Sequence, residues 1–136
     1  MPFALLYRSV CVFPFGDLGI RALTVRAAQR NAAAGITGVL LHGEHSRVEG
    51  APGAFVQWIE GPEGAVRDLF ARIRADGRHT EINVLASGAT ADLAGGANRL
   101  FPEWTMRAEP MSSLPATLGG FLASARAHRG AWAQSA

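Results

Sequence analysis

The sequence predicts an α+β fold: one sheet carrying two helices on one face, with a further helix at the C-terminus. Three observations lead there. Short β-forming runs recur along the chain, bounded by glycine and proline. Two longer stretches between them carry apolar residues at helical spacing. The order of these segments is β-α-β-β-α-β-β, followed by a last helical stripe.

Residues 3–9, "FALLYRS", form the first strand, which "VCVFPFG" ends at Pro14 and Gly16. Asp17 can cap a helix whose stripe is Leu18, Ala22, Leu23 and Ala27, running to about Ala34. Gly35 suits a left-handed stop. "GITGVLLHG" is the second strand, with Ile36, Val39, Leu40 and Leu41. "EHSRVEGAPG" reads as a long polar hairpin loop, and "AFVQWIEG" as the third strand. Pro62 opens the second helix, with Val66, Leu69, Phe70 and Ile73 on one face and Asp76-Gly77 at its end. "TEINVLASG" is a fourth strand, "ATADLAGGANR" a loop and "LFPEWTMRAE" a short fifth strand. Ser112 or Ser113 is expected to cap the last helix, whose stripe is Leu114, Leu118, Phe121, Leu122 and Ala125. Gly119-Gly120 weakens that helix, each mid-helix glycine costing about 1 kcal/mol against alanine. The first six elements form the split β-α-β arrangement of ferredoxin-like folds, in which strands one and three lie side by side at the centre.

Composition narrows the function classes. With 136 residues and 49% hydrophobic content, one domain with a real core is expected. No apolar run reaches the roughly 18 residues of a membrane span, so no membrane association is expected. The opening "MPFALLYRSV" lacks a basic segment and cleavage site, and a cytoplasmic location is expected. Cys11 is the only cysteine, which excludes a disulfide within the chain and reads as a buried or half-buried thiol. The formal charge is +2, and all 13 basic residues are arginines scattered along the chain. Nucleic-acid binders concentrate their basic residues on one face, so direct nucleic-acid binding is not expected.

The polar residues inside apolar runs need partners. A buried amide left unpaired costs about 1–3 kcal/mol. Gln57 shares strand parity with Phe55 and Ile59, and Tyr7 with Leu5. If strands one and three are neighbours, Tyr7 and Gln57 meet on the helix-covered face. Asn31, near the end of the first helix, brings a third hydrogen-bonding side chain to the same space. Such convergence fits a ligand pocket; it fits equally a satisfied Tyr–Gln core bond and an asparagine bonded to its own backbone. Catalytic constellations are poor. His42, His45, His79 and His128 are spread out, and His42-x-x-His45 is read as part of a solvated loop rather than a metal site. Glu60 and Glu63 are read as helix-entry charges rather than an acid/base pair. No metal site or catalytic residue is assigned, and the chain is not expected to be an enzyme.

Taken together, "LLYRS", "QRNAAAGITGVLL", "FVQWIEGPEGAVRDLFARIRADGRH" and "FPEWTM" resemble the BLUF family, blue-light sensors that use FAD. The resemblance spans about residues 3 to 108 and rests on Tyr7, Asn31 before "GITG", Gln57 before "EGP" and a Trp-x-Met in the last strand. It implies a flavin bound noncovalently between the two helices on the sheet. Gln57 would contact the flavin N5 and C4-carbonyl edge, with Tyr7 bonded to it and Ser9 nearby at the strand end. Asn31 would bond the pyrimidine side. Arg72 and Asp76 resemble the pair that helps hold the flavin's polar side, and Trp104 and Met106 the pair that passes the signal outward. Arg30 stands where the family often has a second Asn or a His. The loop "HGEHSRVEGAPG" is longer than usual, and Cys11 lacks the motif of flavin–cysteine adduct sensors.

The implied function is a photoreceptor in which light rearranges a Tyr7–Gln57–flavin hydrogen-bond network. The signal would leave through the last strand and C-terminal helix to a partner protein or the protein's own oligomer. A flavin-binding domain over residues 1–110 and a helical extension over 111–136 are expected. The alternatives are a light-blind ferredoxin-like interaction module and a small acylphosphatase-like hydrolase. The hydrolase would need a phosphate-cradling loop after the first strand, where "RSVCVFPFGDLG" offers Arg8 but no cradle.

Overall fold

A computed structural model describes residues 2–11, 30–44, 53–76, 79–96 and 99–134. Strand β1 (Phe3–Cys11) is followed by β2 (Thr37–Glu44) and β3 (Ala54–Gly61). Helix α1 (Glu63–Ala75), strand β4 (His79–Ala89) and the single turn α2 (Thr90–Leu93) come next. Strand β5 (Trp104–Pro110), a 3₁₀ turn (Met111–Ser113) and helix α3 (Leu118–Gln134) complete the chain. The five strands lie in the order β4-β1-β3-β2-β5. β1 is antiparallel to β3 and β4, and β3 to β2, whereas β5 joins β2 in parallel. This is the predicted split β-α-β sheet, widened by one strand beside β2.

Most of the first predicted helix, with its Asp17 cap, lies outside the described residues, as do the hairpin loop over 45–52 and Gly77. Residues 30–33 are helical and end as expected: Gly35 has φ +73°, and Ile36 N–H donates back to Asn31 O at 2.8 Å.

The pleat sorts side chains onto two faces. On one, Phe3, Leu5, Tyr7, Leu40, Phe55, Ile59, Trp104 and Met106 are buried with Val66 and Leu69 of α1. On the other, Ala4, Leu6, Val39, Leu41, Val56 and Trp58 are covered by Leu114, Phe121 and Ala125. The C-terminal helix therefore packs back on its own sheet. Phe121 is fully buried, its ring stacked on Trp58 at 5.5 Å and 9° and tilted against Phe101 at 6.1 Å.

Five sequence expectations are corrected. "ATADLAGGANR" contains the helical turn α2, which starts where Thr90 N–H bonds Pro2 O at 2.9 Å. Ser112 and Ser113 do not cap the last helix; they lie in the 3₁₀ turn, and Pro115 delays the helix. Thr117 is the cap, its Oγ1 accepting from Gly120 N–H at 3.0 Å. Gly119 and Gly120 thus lie in the first turn rather than mid-helix. His42 is not in a loop: β2 extends through it, and it is 2% exposed, its ring 5.1 Å from that of Phe55. Its partner in the metal reading, His45, lies outside the described residues. Glu60 is not a helix-entry charge but a fully buried carboxylate.

Candidate functional site

The register of β1 and β3 sets Tyr7 directly opposite Gln57. Both side chains are buried, at 3% and 6% exposure, and Tyr7 Oη–H donates to Gln57 Oε1. Continuing across the sheet, Gln57 pairs with Leu40 and Leu40 with Met106. One row of the pleat thus runs Tyr7, Gln57, Leu40, Met106. Trp104 lies one row along, beside Gly38, which itself pairs with Ile59. On the other side, Ser9 pairs with Phe55 and Phe55 with His42. Ser9 is 1% exposed, and Asn31, at the end of the first helix, is 3% exposed.

The electrostatics suit a neutral phenol. Burial pushes the Tyr7 hydroxyl well above the ordinary tyrosine value, and the negative charge of Asp76 raises it further. Tyr7 therefore keeps its proton and its donor role. Its ring leans on Phe70 of α1, centroids 5.6 Å apart. Asp76 is half-buried at the C-cap of α1, where its backbone N–H bonds Ile73 O at 3.1 Å. Arg72, one turn earlier, is exposed, and so is Arg30. Tyr7, Gln57 and the charge of Asp76 are thus brought together, with Ser9, Trp104 and Met106 on the same face of the sheet. Arg72 is not drawn into this buried group.

Trp104 supplies a further observation. Its Nε1–H is buried and has no hydrogen-bond partner among the described residues. Leaving such a donor unmet costs about 1–3 kcal/mol, so the face has an open demand for an acceptor.

Sequence reasoning missed the groups on the opposite face. Glu60 accepts from Trp58 Nε1–H at 2.8 Å, Leu100 N–H at 3.0 Å and Phe101 N–H at 2.7 Å. Arg99 ties the same segment to β2, donating to Gly35 O at 2.9 Å and Thr37 Oγ1 at 2.7 Å. Arg8, next to Tyr7, donates to Pro115 O at 3.1 Å ahead of α3. Strand parity alone could have placed Glu60 with Trp58 and Val56, on the face the C-terminal stripe covers.

Glu60 carries a pH prediction. Burial raises its carboxyl above 4.5, more than its hydrogen bonds and the Arg99 charge lower it. Between 4.5 and the higher folded value, the folded state holds more protons than the unfolded state. The contribution of Glu60 to stability therefore falls as pH rises through that window. Thermal melts across this range should show a shallower pH slope in Glu60→Gln; an unchanged slope would remove Glu60 as its source.

One face of the sheet thus carries a buried amide, a neutral phenol, apolar walls and an unmet donor, a lining that suits a flat apolar ligand bearing hydrogen-bond acceptors. Comparison with known proteins makes the assignment specific. The family described as BLUF, sensors of blue-light using FAD, matches residues 3–107. The beta subunit of a photoactivated adenylate cyclase from Euglena gracilis is 39% identical over 103 residues, 75% of this chain and 10% of that protein. Its counterpart from Euglena longa is 36% identical over 103 residues, again 75% of this chain and 10% of the relative. This chain thus spans about a tenth of the curated relatives it matches. Among solved structures, BlrB, a BLUF protein in its dark state, superposes with a TM-score of 0.59 at 31% identity, covering 96% of this chain and 90% of that one. Klebsiella pneumoniae BlrP1, with FMN and cyclic diGMP, gives a TM-score of 0.62 at 32% identity over 85% of this chain and 27% of that one.

The chain belongs to the BLUF family of blue-light sensors, and its cofactor is FAD. The residues present fit that group. A flavin ring would bring carbonyl and ring-nitrogen acceptors, for which the Gln57 amide and the Trp104 N–H are suitable donors, and Leu5, Ile59 and Leu40 would be apolar walls. Among the described residues, no helix is long and apolar enough to cross a membrane.

Proposed function

We propose that Tyr7 and Gln57 are the photoactive pair of this blue-light sensor. The observation that carries the reading is the buried hydrogen bond from Tyr7 Oη–H to Gln57 Oε1, between residues fifty positions apart in sequence that the strand register sets face to face.

Bound FAD supplies the absorption of blue light and an acceptor for an electron and a proton. Tyr7 is the corresponding donor in this chain: a neutral phenol held close by its bond to Gln57. With Oε1 committed to Tyr7, the Gln57 Nε2–H₂ group points away from the phenol and is free to serve the flavin edge. A half-turn or tautomer change of the amide swaps these roles, because a phenol accepts as well as donates and an amide does both. Gln57 thus has two complete sets of partners, and light selects between them. One net hydrogen bond is worth about 0.5–1.5 kcal/mol, enough to bias a two-state element several-fold without unfolding it.

Asn31 and Ser9 are the further flavin contacts we assign, and Asp76 shapes the local charge. Arg72 is an outer contact reached from the exposed side of α1. Trp104 and Met106 pass the change along β5 toward α3. Residues 1–110 make up the sensor unit, with 111–136 as an extension that completes its second core. The chain acts as a sensor and not as a catalyst, in the cytoplasm, through a partner protein or a second copy of itself.

Gln57→Leu tests the assignment. The purified variant should remain yellow with FAD bound and lose the reversible red shift under blue light. A wild-type light-minus-dark difference spectrum in this variant would reject the role of Gln57.

A further inference from the structure

We propose that Glu60 is a positioning residue that couples the strand carrying Gln57 to the seat of the C-terminal helix. The proposal rests on the photoactive reading of Gln57 and extends it to the other face of the sheet.

The geometry converges on one carboxylate. Glu60 lies three residues beyond Gln57 on β3 and points to the opposite face. Its Oε2 accepts from Trp58 Nε1–H at 2.8 Å and Leu100 N–H at 3.0 Å, and its Oε1 accepts from Phe101 N–H at 2.7 Å. Two of these three donors belong to residues whose rings hold α3 in place. Trp58 stacks on Phe121 at 5.5 Å, and Phe101 tilts against it at 6.1 Å. Phe121 is fully buried between them. One side chain thus fixes both walls of the slot that receives the helix.

The same carboxylate also fixes the start of β5. Leu100 and Phe101 lie just before Trp104, and Phe101 O accepts from Thr37 Oγ1 at 2.7 Å. A displacement of β3 at Gln57 therefore reaches Trp58 through one peptide unit, and reaches Phe101 through the Glu60 bonds. The indole orientation depends on its N–H bond, since a ring stacked nearly parallel can otherwise slide at little cost. A carboxylate suits the task because it accepts several N–H bonds at once, and charge-assisted bonds hold their geometry more tightly than neutral ones. A carboxylate in a core is costly unless it is fully bonded, and here both oxygens are engaged.

The test uses the full chain with FAD bound and reads two signals. Absorption reports the flavin site, and hydrogen exchange measured in dark and light reports α3. Glu60→Gln replaces one acceptor oxygen with a donor that opposes the N–H groups. The expected result is a retained red shift together with loss of the light-minus-dark exchange difference over Leu118–Gln134. A difference equal to the wild type overturns the proposal, whatever happens to the melting temperature, because a purely structural role would lower stability and leave that difference in place. Trp58→Phe is the second variant, for use if Glu60→Gln does not fold: it keeps a six-membered ring on Phe121 and removes the indole N–H together with the pyrrole half of the side chain. It should at least halve the difference, and a wild-type difference there also overturns the proposal. A wild-type chain with a red shift but no light-dependent exchange in α3 overturns the coupling. A wild-type chain without a red shift overturns instead the photoactive reading beneath it.

Discussion

Tyr7→Phe is expected to abolish the light-induced red shift while the protein stays yellow. Tyr7 is the only tyrosine in the chain, so no second phenol can take its place. The substitution keeps the ring against Phe70 and removes one oxygen. Its thermodynamic effect combines two terms. The variant loses a net hydrogen bond of about 0.5–1.5 kcal/mol, and Gln57 Oε1 loses its donor, at about 1–3 kcal/mol if nothing replaces it. Released from Tyr7, the amide can turn, so the dark-state flavin spectrum should shift slightly even before illumination. The functional effect is larger than the energetic one, because without the phenol nothing remains to give and retake the proton. Difference absorption spectroscopy under blue light checks this directly. A variant with full amplitude would show that the Tyr7–Gln57 bond is only a satisfied core contact.

Gly38→Ala is expected to be the most damaging small substitution at the site. Gly38 has φ +156°, and a Cβ there would lie 1.9 Å from Trp58 O and 2.9 Å from Trp58 C. Both atoms are β3 backbone and cannot swing aside. The strand would have to move, and that strand carries Gln57, Trp58 and Glu60 together. Overpacking of a well-filled core costs about 1–3 kcal/mol, and forcing a backbone clash in a strained conformation takes the total to about 3 kcal/mol or more. Trp104 would lose its neighbour as well, since it pairs directly with Gly38. Denaturant midpoints and FAD retention should both fall. Gly64→Ala is the matched control: it lies on the exposed side of α1, and a Cβ there meets nothing within 4 Å. Helix propensity predicts a gain of about 0.5–1 kcal/mol at that position. Equal midpoints for Gly38→Ala and the wild type would show that β2 and β3 can separate freely, contrary to the packing described.

The two-sided arrangement gives the domain its logic. The Tyr7–Gln57 pair lies under α1, and the C-terminal helix covers the opposite face. The strands between are one peptide thick, so residues of alternate parity on β1 and β3 touch both sides. Tyr7 and Gln57 face α1, whereas Arg8, Trp58 and Glu60 face the C-terminal segment and its helix. The mechanical path is therefore short, although its ends are far apart in sequence.

The sequence by itself determined the order of the five strands, the helix after β3 and the face on which Tyr7 and Gln57 lie. The reason is local. Strand parity, helical spacing and the stops at Gly35 and Asp76 depend on residues within a few positions of one another, and "AFVQWIEG" was bounded correctly for that reason. The resemblance then suggested the proposed role of Gln57, which burial alone left as an amide in need of a partner. Only the tertiary structure decided the rest. Glu60 looked like a helix-entry charge because its neighbours are Gly61 and Pro62, whereas two of its hydrogen-bond donors lie forty and forty-one residues away. His42 looked exposed because glycines and charges follow it, whereas β2 carries it into the core beside Phe55. The capping role of Thr117 and the grip of Arg8 on Pro115 were likewise set by where Pro115 turns the chain onto the sheet. A buried polar group is defined by its partners, and in a sheet those partners are chosen by register and topology rather than by adjacency along the chain.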